Sequence, residues 1–163
     1  MKRPLALALL LYLASTVSAQ GLGTHDQFES DGVTLMGWLP NAEFSGFEGA
    51  DDCWGYTSPS GREYAIIGTT GAIGFAEITN PSEPVIVASL PAPNSNWHDI
   101  KTYQDYAYSV SEAGGGIKVF KLTRIDLGIV SNVANVTTGG ATATHNLAID
   151  TTSGYLYRCD GSG

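Results

Sequence analysis

Imidazole and carboxylate groups recur in this chain at one interval. Asp51, His98 and His145 are spaced 47 residues apart, and their neighbours Asp52, Asp99 and Asn146 keep the same step. Oxygen and imidazole donors gathered at one end of a repeating structure could hold a divalent cation. A metal-dependent hydrolase or lyase is the enzymatic reading of such a ring. The competing reading is structural: each Asp or His bonds backbone groups in the turns of its own repeat, and recurs because every repeat needs the same brace. Buried polar groups usually have partners of that kind, which favours the brace.

Other chemistry finds little support. Asp51 and Asp52 are adjacent, as are His98 and Asp99, and in an extended segment neighbouring side chains face opposite ways, which works against an acid/base pair. The Gly-x-Ser-x-Gly pattern is absent, and Ser109 and Ser111 fall inside an expected strand. Gly114-Gly115-Gly116 lacks the GK[ST] ending of a phosphate loop and joins two strands without opening a helix. No catalytic residue or cofactor site is assigned.

The segments that must position these residues read as strands. Val33 to Leu39, ending at Pro40, reads as an outer strand, with later copies at Val85 to Leu90 and Ile129 to Val136. Inner strands follow the Asp/His positions at Cys53-Trp54-Gly55-Tyr56, Ile100-Lys101-Thr102-Tyr103 and Leu147-Ala148-Ile149-Asp150. Their partners are Tyr64 to Ile67, Tyr106 to Val110 and Tyr155 to Tyr157, rich in aromatic and β-branched residues and bounded by turn formers. Glycine-bearing hairpins at Thr70-Gly71 and Gly114 to Gly116 lead to Phe75 to Thr79 and Val119 to Thr123. Asn80-Pro81 and Glu83-Pro84 then turn into the next outer strand.

Four short strands per repeat of this length predict an all-β fold, a β-propeller of four-stranded blades. About two and a half blades are present against the roughly 4 to 8 that close a ring, which predicts a partial propeller over residues 33–163 of a longer sequence, with a short form that assembles with other chains as the less favoured alternative. An open arc would leave a face and a sheet edge exposed. A small β-sandwich built from the same strands is the alternative architecture.

Composition sets the compartment. Lys2 and Arg3, the apolar run Leu5 to Leu13 and the small residues Val17-Ser18-Ala19 form the pattern of a signal peptide over residues 1–19, too short in its apolar core to span a bilayer. A polar leader over 20–32 follows. Without Lys2 and Arg3 the chain has 6 basic and 16 acidic residues, a surface that repels phosphate backbones and makes nucleic acid an unsuitable partner. Export would allow Cys53 and Cys159 to form a disulfide, closing a loop of 106 residues worth roughly 4 to 5 kcal/mol. Asn135-Val136-Thr137 fits the glycosylation acceptor pattern at Asn135. Trp38, Trp54 and Trp97 could stack on a ligand, but packing in the core between blades is the favoured expectation for them.

Asp52-Cys53-Trp54-Gly55-Tyr56, Phe75-Ala76-Glu77-Ile78-Thr79-Asn80-Pro81, Trp97-His98-Asp99-Ile100-Lys101, Tyr106-Ala107-Tyr108 and the glycine hairpin occur in that order. Together they resemble the secreted choice-of-anchor B family, whose propellers are built from LVIVD-type repeats. The resemblance runs from about Val33 to the C-terminus. It implies an exported propeller, often longer than this chain and carrying a C-terminal surface-sorting signal. This sequence shows no such tail, so surface attachment would need a downstream anchor. The family carries no established activity over to these residues.

The expected function is therefore a secreted binding or scaffolding module, without a transmembrane segment in its mature chain. Asp51, Asp52, His98, Asp99, His145 and Asn146 are its candidate ligand face, and an extracellular protein, peptide or glycan its partner. The metal-dependent enzyme and a structural surface-layer component are the alternatives.

Overall fold

A computed structural model describes residues 31–44 and 49–162. The expected signal peptide, 1–19, lies outside the described residues, as does the expected leader except for its last two positions. The fold is all-β: ten strands and a few short 3-10 turns, with no α-helix among the described residues.

Three antiparallel sheets follow one another along the chain. The first contains β1 (Ala50–Thr57), β2 (Glu63–Thr69), β3 (Ala72–Glu77) and β4 (Val85–Pro91), in sequence order across the sheet. The second repeats this order with β5 (His98–Tyr103), β6 (Tyr106–Ser111), β7 (Ile117–Arg124) and β8 (Ile129–Val136). The third has two strands, β9 (Ala143–Asp150) and β10 (Tyr155–Ser162). β1 packs on β5, and β5 on β9, so the second sheet lies between the other two.

Register shows that the units are copies. Tyr56 pairs with Tyr64 in the first sheet as Tyr103 pairs with Tyr106 in the second, and Tyr64 pairs with Glu77 as Tyr106 does with Lys121. Phe75 and Val119 are therefore equivalent, as are Ala76 and Phe120. The two-residue turn Gln104-Asp105 closes the β5–β6 hairpin, with Gln104 at φ 50°.

Alternation along these strands builds the core. Tyr64, Ile66, Ile73 and Phe75 point from the first sheet toward Ile100, Ala107, Phe120 and Leu122 of the second, and all eight are buried. Phe75 meets Phe120 edge to face, with ring centroids 5.6 Å apart. The tie extends to the periphery, where Tyr64 donates to Asp126 at 2.8 Å and Arg62, paired with Glu77, donates to the Asp126 carbonyl at 2.7 Å.

One expectation needs correction here. Val33 to Leu39 is not a strand; it forms the start of a strap, residues 33–44, across the outward face of the first sheet. A side chain at Gly37 would sit 2.6 Å from the Pro81 carbonyl and 2.7 Å from Pro84 Cδ. A segment laid against prolines, which have no N–H to donate, cannot build a ladder there. The strap holds instead through Phe44, buried against Gly74, with Ser89 donating to the Phe44 carbonyl at 3.2 Å.

Cys53 and Cys159 do not pair. Both are exposed free thiols, Cys53 on the first sheet and Cys159 on the third, with the second sheet between them. Their sequence separation left a long loop to close, but stacking in chain order puts them on different layers.

Candidate functional site

The acidic pair at the start of β1 is shaped by a β-bulge between Ala50 and Cys53. The extra residue in the strand lets neighbouring side chains reach the same side. Asp51 accepts from the His98 N–H at 3.3 Å and Asp52 from the Ile100 N–H at 3.0 Å. The expectation that these two carboxylates face opposite ways is thus overturned by a local irregularity.

One unit further on, Asp99 accepts from the Leu147 N–H. Asp52 and Asp99 therefore make the same bond, each reaching 48 residues ahead to the inner strand of the next sheet. The repeated acid is a brace, but between units, where the sequence suggested the turns of its own unit. The reason lies in stacking order: the inner strand of the next unit is the nearest source of unpaired backbone N–H groups.

Lys101 closes this cluster. Its Nζ lies 2.5 Å from Asp99, 3.3 Å from Asp52 and 2.9 Å from the Ile100 carbonyl, and 4.3 Å from the centre of the Trp54 ring. Burial would raise Asp52, but hydrogen bonding with Asp99 and with the Ile100 N–H, together with Lys101, holds its carboxyl below the usual range. Asp99 is pushed above that range by burial first and by Asp52 second, against the pull of Lys101 and Leu147.

The two histidines part company. His98 is 2 % exposed and lies against Gly68, where an added Cβ would stand 2.6 Å from its own Cβ. Burial lowers its pKa despite backbone groups of Pro93, Thr70 and Val110 and the charge of Asp51, and its Nε2 has no hydrogen-bond partner among the described residues. His145 is exposed, with Nδ1 2.6 Å from Glu112 and its ring 6.3 Å from that of Trp97. It lines an open recess of about 200 Å³ with Glu112, Thr144 and Asp160. Asn146 is exposed beside it.

Of the six expected face residues, the fold gathers Asp52 and Asp99 with Lys101, sets Asp51 on the backbone of His98, buries His98, and leaves His145 and Asn146 open to solvent. Among the described residues no three of His, Cys, Asp and Glu are grouped as a metal would need. Sequence reasoning missed Lys101, Glu112 and Asp160. Lys101 had a signal, since positions two apart on a strand share a side, as it does with Asp99. Glu112 and Asp160 had none, because only the packing of β9 against β6 and β10 brings them to His145.

The tryptophans also depart from the expected core placement: Trp38, Trp54 and Trp97 are 39 %, 42 % and 51 % exposed. The inter-sheet core is filled by Phe, Tyr and Ile, while Trp38 lies on the strap, Trp54 within β1 against Lys101, and Trp97 just before β5. Asn135 is exposed on β8, bonded to Asn132 Nδ2 at 3.0 Å. No described helix is long and apolar enough to cross a membrane. Comparisons with protein-family models, curated proteins and solved structures each return no match.

Proposed function

We propose that this chain is a secreted β-propeller of the LVIVD-repeat, choice-of-anchor B kind and serves as a binding or scaffolding module. Support for the propeller comes from two four-stranded units with the same strand order, followed by the inner half of a third, all joined by a brace of fixed step. Support for export comes from the pattern of residues 1–19.

Ligand contact is proposed at the end of the sheets that carries Trp97, Glu112, His145 and Asp160. The observation that carries this reading is the exposed Trp97 ring beside the Glu112–His145 pair at the mouth of the recess. An indole face takes the apolar side of a sugar or an aromatic side chain, and the flanking carboxylates accept from hydroxyls or amines. Glycans and peptides are the fitting classes of ligand.

The test is a panel of glycans, peptides and surface proteins presented to the complete folded protein. A specific ligand should lose roughly tenfold or more in affinity with Trp97→Ala or His145→Ala. Binding that neither substitution changes would reject this face. His98→Ala is a poor probe, because that side chain is buried and its loss would act through folding.

A further inference from the structure

Between the first two sheets an amine and two carboxyls meet where little water reaches. Lys101 Nζ stands 2.5 Å from Asp99 Oδ1 and 3.3 Å from Asp52 Oδ2, with the centre of the Trp54 ring 4.3 Å away. The lysine side chain is 17 % exposed and that of Asp99 4 %. Asp52 and Asp99 are hydrogen-bonded to each other as well. All four residues lie on β1 and β5, at the joint between the two four-stranded sheets.

The brace does not need an amine from the sheet across. By register, the position that Lys101 holds on β5 is held by Ala148 on β9, yet Asp99 still accepts from the Leu147 N–H. Lys101 is therefore an addition at the first joint, and it sets a nucleophile beside the one carboxyl that reaches over from the first sheet. Amide formation between a free amine and a free acid is disfavoured in water. Groups held in place reach effective molarities of ~10⁵ to 10⁸ M, and exclusion of water favours the condensed product.

We propose that Lys101 Nζ and Asp52 Cγ condense to an amide, an internal cross-link that ties β1 to β5 across 49 positions of the chain, with Asp99 as the proton carrier. Lys101 gives a proton to Asp99, which passes one to Asp52 Oδ1, and the freed lone pair of Nζ forms the bond to Cγ. A second proton moves from nitrogen through Asp99 to that oxygen, the Cγ–Oδ1 bond breaks, and water leaves. An ammonium and a carboxylate become an amide and one water, without oxidant or cofactor, and Asp99 returns to its starting state. Asp52 Oδ2 remains as the amide carbonyl and keeps its bond from the Ile100 N–H. Before condensation the cluster is the ion pair described above. The cross-link is independent of the proposed ligand face.

Mass spectrometry of the folded full chain, denatured and reduced before measurement, should give a mass lower by one water than its sequence requires. Trypsin should then leave the Lys101–Thr102 bond uncut, and a peptide ending at Arg62 should be found joined to residues 63–118. Lys101→Arg keeps the positive charge, and Asp99→Asn keeps an acceptor for the Leu147 N–H; both variants should show full mass. A wild-type chain of full mass, with residues 63–101 released by trypsin as a separate peptide, overturns the proposal whether or not the variants fold. A cross-link mapped to Asp99 in place of Asp52 overturns it too, and a link that forms as fully in Asp99→Asn overturns the role given to Asp99.

Discussion

Asp99 is 3 % exposed and accepts from both Lys101 and the Leu147 N–H. Replacing it by Ala leaves a buried N–H without a partner and removes the closest counter-charge of a largely buried ammonium. Asp99→Ala should cost about 2 to 4 kcal/mol in denaturant titration. Asp52→Ala, at a more exposed carboxylate, should cost about 1 kcal/mol. His98 sets a pH dependence of the opposite origin, through a depressed pKa. The unfolded chain binds that proton first, near pH ~6.5, so stability is complete above this value and falls as pH drops toward the folded-state pKa. Asp99, raised in the fold, offsets part of the slope. Stability measured against pH in the wild type and in His98→Gln should differ by the share of His98, the variant having the shallower acid slope; identical slopes would refute this assignment. At this scale the sequence located the repeated residues, but whether each would be a brace, a buried ring or an open one depended on neighbours from other units.

Hairpins carry the next level of organisation. Gly114, Gly115 and Gly116 have φ of 93°, 90° and 73°, a run of left-handed backbone that joins β6 to β7. A Cβ at Gly116 would stand 2.5 Å from the Val136 carbonyl and 2.8 Å from Thr137 Cγ2, so Gly116→Ala meets both torsional and steric resistance. It should destabilise by about 2 to 3 kcal/mol. Gly61, at φ 87° with open space around it, gives the control: Gly61→Ala should cost only about 1 kcal/mol in the same thermal or denaturant titration. Most strands were legible because aromatic and β-branched runs between turn formers have few other outcomes. Val33 to Leu39 has that composition and still forms no ladder, since its neighbours in space are Pro81 and Pro84. Strand propensity describes a residue; pairing also needs a partner edge with free N–H and C=O groups.

For the molecule as a whole, stability is concentrated where the first and second sheets interdigitate. Phe120→Ala would empty the centre of that contact, opposite Phe75, and should cost about 3 to 5 kcal/mol. Because one core serves both sheets, calorimetry should show their unfolding as a single transition shifted down in temperature; two separate transitions would contradict a shared core. The sequence by itself determined the all-β class, the repeat length and the positions that recur, because alternation, turn chemistry and spacing are local properties of the chain. Only the tertiary structure decided that the repeated acids hold one sheet to the next, that His98 is buried while His145 meets Glu112, and that the two cysteines lie on separate layers. Those outcomes depend on which surfaces stack and which carbonyl, amide or ring is brought within bonding distance, and such contacts join residues some 50 positions apart that no local pattern relates.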